Sequence, residues 1–177
     1  MSIMSIGYSR RNVDDFVDIL LRNNVLFLID VRSKPYSKYS PDFNQDTFKL
    51  YLKSRNIKYV FMGDTVGGLP KESSCYTEGK VDYGKTANSQ NFKKGLSRLI
   101  KASSLDVNVA IMCAEMKPED CHRSKLIGEE LKKNNVYVQH IDKDGSILSQ
   151  DDVINRITKG QYSMFDDGFT SVKKYKE

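Results

Sequence analysis

Val25-Leu26-Phe27-Leu28-Ile29-Asp30-Val31-Arg32 decides the fold. Six of the seven residues before the arginine are apolar, with no polar alternation, which reads as a strand buried on both faces, Val25 to Val31. Val107 to Cys113 is a second run of the same kind. Working outward, Ile3 to Ile6 reads as a strand. Asn12 then caps a helix in which Val13, Phe16, Val17, Leu20 and Leu21 recur at helical spacing, and Asn23-Asn24 stops it. Asn44 caps a helix to about Arg55, with Phe48, Tyr51 and Leu52 inward, and Ile57 to Met62 follows as a strand. Gly63 to Ala87, with four further glycines and Pro70, reads as a long irregular loop. A helix covers Gln90 to Lys101. Pro118 suits the first turn of another, with Glu119 and Asp120 at its positive end and Asn134-Asn135 at its stop. Val136 to Ile141 is a strand, Asp144-Gly145 a turn, and Asp151 to Thr158 the last helix. Apolar strands alternating with helices predict a single three-layer α/β domain over residues 1–160, its mostly parallel sheet flanked by helices, with 161–177 as a C-terminal tail.

The composition of the 177 residues agrees: 39% hydrophobic and 29% charged suits a globular domain able to bury its own core. No apolar run approaches the roughly 20 residues of a bilayer span, so no membrane partner is expected. Met1-Ser2-Ile3-Met4 leads into Gly7 and two arginines, unlike a secretory signal. Three cysteines, an odd and low count, fit a reducing cytoplasm. The net charge of +5 is local. Between Arg32 and Lys58 lie seven basic residues against Asp42 and Asp46, so this segment carries the whole excess and favours a polyanionic partner, nucleotide or nucleic acid. Lys49 and Lys53, four apart on a helix, share a face that suits a row of phosphates.

In open α/β sheets ligands bind beyond the carboxyl ends of the strands. That rule selects Gly7 and Ser9 after the first strand, Asp30 and Arg32 at the second, Gly67 and Gly68 after the third, Cys113 and Glu115 after the fourth, and His140 near the end of the fifth. The densest chemistry is Cys113-Ala114-Glu115-Met116-Lys117-Pro118-Glu119-Asp120-Cys121-His122-Arg123. A helix start lowers a thiol pKa and attracts anions, so Cys121 in a first turn reads as a thiolate, Arg123 as a phosphate fork and His122 as a proton carrier. Glu119, not arginine, stands six residues after Cys113, which disfavours the loop of thiol phosphatases. Zinc on Cys113, Cys121 and His122, with Cys75, is weighed against the rarity with which adjacent residues point at one ion and the lack of a Cys-x-x-Cys pair. No metal and no cofactor are therefore expected. Asp30 and Arg32 read either as a buried bridge or as a functional pair, with Asp30 bonding a ribose hydroxyl or acting as general base and Arg32 holding phosphate. Ser33-Lys34-Pro35-Tyr36-Ser37-Lys38-Tyr39 mixes tyrosines that stack with lysines that neutralise, and Ser37 joins the ligand residues.

Ser5-Ile6-Gly7-Tyr8-Ser9, Asp30-Val31-Arg32, Pro35 with Ser37, Pro41 with Phe43, Gly67-Gly68, Cys113-Ala114-Glu115, Cys121-His122-Arg123 and His140-Ile141 resemble, in this order, the family called domain of unknown function 488. The resemblance spans roughly residues 3 to 145. It departs at Tyr8, where the family often has histidine, and at Lys38, where it often has arginine. It implies a compact α/β domain, commonly prokaryotic and sometimes associated with DNA repair, and no established reaction. Two functional classes follow from the residues. One is an enzyme on a nucleotide or a nucleic-acid base or sugar, with Asp30, Cys113, Glu115, Cys121 and His122 as catalytic candidates. The other is a non-catalytic module that senses the same ligands in the same cleft.

Overall fold

The computed structural model describes residues 2–160 and 169–175. The chain runs β1 (Ser2–Gly7), α1 (Val13–Arg22), β2 (Val25–Asp30), α2 (Gln45–Ser54), β3 (Lys58–Phe61), α3 (Gly63–Val66), β4 (Tyr76–Thr77), β5 (Lys80–Asp82), α4 (Tyr83–Asn88) and α5 (Gln90–Ser103). It continues through β6 (Asn108–Cys113), a π-helical segment Arg123–Gly128 that leads into α6 (Glu129–Lys133), β7 (Tyr137–Ile141), β8 (Ile147–Ser149), α7 (Gln150–Thr158) and β9 (Thr170–Lys174). The main sheet has six strands in the order β3-β2-β6-β1-β7-β8. All its pairs are parallel except β7 with β8.

Successive strand residues point to opposite faces, and the buried runs supply both cores. Leu28, Ala110, Met112 and Ile6 pack on Phe16, Val17 and Leu20 of α1 and Phe48 and Leu52 of α2. Ile29, Ile111, Cys113 and Ile3 face the other way, onto Phe92, Leu96 and Leu99 of α5 and Leu126, Ile127 and Leu131 beyond it. The three-layer α/β domain is therefore what the continuous apolar runs require. Among the described residues no helix is long and apolar enough to cross a membrane.

Three local expectations need correction or completion. Gly63 to Ala87 is not an irregular loop: it holds α3, the β4–β5 hairpin and α4. The hairpin turns at Glu78 (φ 49°) and Gly79 (φ 79°), two left-handed residues in a two-residue loop, a turn whose usual signature is Asn-Gly or Asp-Gly. No helix runs unbroken from Pro118 either. Pro118–Asp120 is a single 3₁₀ turn, Cys121 is extended (φ −119°, ψ 149°), and helical backbone restarts at His122 (φ −63°, ψ −19°). The break is held by Ser124, whose Oγ donates to Pro118 O and Cys121 O. Within the stretch read as a tail, Thr170–Lys174 forms β9, which pairs antiparallel with β5 in a second, three-stranded sheet. The remainder of that stretch, 161–168 with 176 and 177, lies outside the described residues.

Candidate functional site

The carboxyl ends of β1, β2 and β6 open into a cleft of about 530 Å³. Its floor is made by Cys113, Glu115 and His122, with Gly68 alongside, and its walls by Lys34, Tyr36 and Tyr83. Ser171, Lys173 and Tyr175, on and just after β9, close one side. Lys34 and Tyr36 belong to the mixed cationic and aromatic stretch singled out in the sequence. Lys173 and Tyr175 were not found there, because a short strand that pairs only with a hairpin leaves little signal beyond its β-branched Thr170 and Val172.

At the floor the reactive groups converge. Cys113 Sγ and Cys121 Sγ donate to the same Glu115 Oε2, at 2.9 and 3.2 Å. His122 Nδ1 lies 3.8 Å from Cys113 Sγ and 3.6 Å from Cys121 Sγ. The imidazole is oriented from behind, since Nε2 lies 3.2 Å from Val31 O and, facing a carbonyl, must donate to it. Adjacent Cys121 and His122, expected to point apart, meet because one is extended and the other helical. Gly68 makes room for the ring: a Cβ there would lie 2.8 Å from His122 Nδ1. Cys113 is 4% exposed and Cys121 1%, so Cys113 is the sulfur that reaches the cleft while Cys121 sits behind it.

Charge is redistributed within this cluster. Burial pushes the Cys121 thiol up, but the hydrogen bond from Cys113 and the positive charge of His122 outweigh it and bring Cys121 down to about 6. Cys113 is held well above an ordinary thiol, first by that same hydrogen bond and then by burial. Burial opposes the His122 charge, yet the negative Cys121 raises its pKa above the usual imidazole value. Burial likewise opposes the Glu115 charge, while the Cys113 hydrogen bond and the charge of His122 lower its pKa.

The other sequence candidates are placed differently. Cys121 precedes the helix instead of lying in its first turn, and its carbonyl accepts from Ser124 N and Lys125 N while its Sγ lies 3.4 Å from Arg123 N. The donors that would greet an anion are thus already used. Arg123 is fully buried and gives Nη1 and Nη2 to the carbonyls of Glu115 and Met116, so it holds the loop that carries Glu115. Asp30 and Arg32 form the buried bridge that was one of their two readings. Arg32 donates from Nε and Nη2 to the Asp30 carboxylate, Nη2 also reaches Phe43 O, and Tyr59 Oη donates to Asp30 at 2.6 Å. Removing one partner of such a pair strands a buried charge, a loss of about 3–5 kcal/mol. They lie on the α1–α2 face of the sheet and the cysteines on the other, although Arg32 touches the cleft. His140 is buried between Ser5 and Gln150. Gly7 packs its backbone under Glu115 O and the Arg123 side chain. Ser9 N donates to Ala114 O, and Gly67 is buried against Gly63 and Ser33. Ser37 lines the cleft and is tied by its N–H to Asn44 Oδ1.

A family model described as domain of unknown function DUF488 matches residues 12–128, a span that carries α1 through the π-helical segment Arg123–Gly128 and includes every residue of the cleft floor. The chain belongs to the DUF488 family. No curated protein and no solved structure matches it. In this DUF488 protein two of the segments that carry the resemblance build the floor: Cys113-Ala114-Glu115 runs off the end of β6, and Cys121-His122-Arg123 enters the helical segment beside it.

Proposed function

We propose that this DUF488 protein is an enzyme acting on a nucleotide or on a nucleic-acid base or sugar bound in the cleft at the carboxyl edge of the sheet. The observation that supports it is the convergence of Cys113, Glu115, Cys121 and His122 at the floor of a cleft walled by tyrosines and lysines. Tyr36 and Tyr175 supply faces for a base to stack on, and Lys34 and Lys173 supply cations for phosphate. Glu115 stands at the mouth of the cysteine cluster and is the group placed to move a proton to or from the ligand. Arg32, Arg123, Asp30 and His140, paired inside the protein, have supporting parts in this reading.

The second reading, a non-catalytic sensor of the same ligands, is favoured by the near-complete burial of both sulfurs. Incubation with a panel of mononucleotides, nucleosides and short oligonucleotides, read by mass spectrometry, separates the two. The enzyme reading expects product formation that Glu115→Gln abolishes while ligand affinity is kept. Binding without turnover by the wild-type protein gives the sensor. Neither binding nor turnover across the panel overturns both.

A further inference from the structure

We propose that Cys113, Cys121 and His122 are the protein ligands of a single zinc ion, with a fourth coordination position open to the cleft beside Glu115. The donor atoms Sγ, Sγ and Nδ1 of these three buried residues all lie within 4.8 Å of one another. Zinc takes thiolate sulfur at about 2.3 Å and imidazole nitrogen at about 2.0–2.1 Å, so a tetrahedral site requires sulfur and nitrogen to stand roughly 3.6 Å apart. The two sulfur–nitrogen separations here are 3.6 and 3.8 Å. Both sulfur–nitrogen edges therefore have the length that a tetrahedral zinc site requires.

The surroundings fit as well as the spacing. An imidazole that binds a metal ordinarily donates its other N–H to a carbonyl or carboxylate, which fixes the tautomer and the ring. His122 does this through Nε2 and Val31 O, leaving Nδ1 toward the sulfurs. Cys121 Sγ faces the N–H of Arg123 at 3.4 Å, a contact that steadies a thiolate ligand. Three protein ligands and one vacant position is the pattern of catalytic zinc, where structural sites carry four. Cys113, Glu115 and His122 face the cleft, so the vacant position opens toward a ligand bound there. Glu115 Oε2, now accepting from both thiols, is the acceptor left for a zinc-bound water once those protons are gone. Binding is balanced by release of the thiol protons to solvent, with no change of oxidation state. Cys75, the remaining cysteine, lies outside the cluster.

The proposal is independent of which ligand fills the cleft. It is tested on the full chain kept in a thiol-free reductant. After metal removal, Co²⁺ titration should saturate at one ion per chain, with sulfur-to-cobalt charge-transfer absorption and the intense visible bands of a tetrahedral site. Zn²⁺ should displace the cobalt. Cys113→Ser and Cys121→Ser should each remove most of the charge-transfer band, while Cys75→Ser leaves it unchanged. Should the site variants fail to fold, alkylation of the wild-type protein decides: added Zn²⁺ should slow labelling of Cys113 and Cys121 several-fold and leave Cys75 untouched. Absence of stoichiometric cobalt binding, or labelling of Cys113 and Cys121 indifferent to Zn²⁺, overturns the metal site. Neither outcome depends on nucleotide binding or turnover, so this test and that of the enzyme reading fail separately.

Discussion

His140 is a neutral imidazole built into the interior. Gln150 Nε2 donates to Ser124 O, which turns its Oε1 toward His140 at 2.7 Å. His140 Nε2 must therefore carry a proton, and Nδ1 accepts from Ser5 Oγ at 2.8 Å. Burial is the main reason the pKa falls from 6.5 to about 4, partly offset by the Gln150 bond and aided by the nearby charge of Arg123. In the unfolded chain the ring takes its proton near 6.5, so below that pH the unfolded state binds the extra proton and stability drops. This contribution is intact above pH 6.5 and fully lost below about pH 4, a difference of about 3 kcal/mol. Denaturant titrations at pH 7 and pH 4.5 should show a smaller loss for His140→Gln than for the wild type, and equal losses would dismiss the account. The same network shows why residue types alone misplace a role. His140 and Arg123 occur at the sheet edge in the sequence order of a ligand site, yet one faces Gln150 and the other two carbonyls. The convergence of Cys121 with His122 was equally hidden, because it depends on one extended residue followed by one helical residue, a detail of backbone angle that no periodicity reports.

Among the elements, the two continuous apolar strands and the amphipathic helices were legible because one physical rule, burial on one or two faces, fixes their pattern over six to fourteen residues. The short pieces were not. The β4–β5 hairpin, α3 and β9 carry at most a turn or two of information each, and β9 is recognisable only once its partner β5 is known. Yet β9 borders the site: Ser171 Oγ accepts from Val81 N, Tyr175 N donates to Gly79 O, and Lys173 and Tyr175 line the cleft. A two-stranded hairpin is marginal alone, so deleting residues 169–177 should loosen the small sheet and leave the six-stranded sheet standing. The expected outcome is a far-UV spectrum close to that of the wild type, a melting temperature lower by a few degrees, and Cys113 alkylated several-fold faster. Global unfolding of the truncated chain, or an unchanged Cys113 rate, would show that β9 does not act as a wall of the cleft.

Across the whole molecule, the excess positive charge of the Arg32 to Lys58 segment is distributed unevenly between interior and surface. Arg32 is spent on Asp30, and Arg55 lies against Asp14 and Tyr51, whereas the lysines Lys34, Lys38, Lys49, Lys53 and Lys58 are exposed. Lys34 belongs to the cleft, whereas Lys49 and Lys53 stand one turn apart on α2. On the proposed reading, a single nucleotide in the cleft would have no use for the α2 pair, whereas a polymer leaving the cleft along this surface would. If about four of these lysines meet backbone phosphates of a duplex, log affinity should fall against log salt with a slope near −3.6, and Lys49→Gln with Lys53→Gln should flatten it by about 1.8. Fluorescence anisotropy of a labelled duplex over a range of NaCl concentrations measures both quantities. Because these side chains are exposed and outside the cleft, the double substitution should leave mononucleotide affinity and the melting temperature as they were. A slope unchanged by the double substitution would detach α2 from the binding surface, and a slope near zero in the wild-type protein would confine recognition to a nucleotide held by the cleft alone.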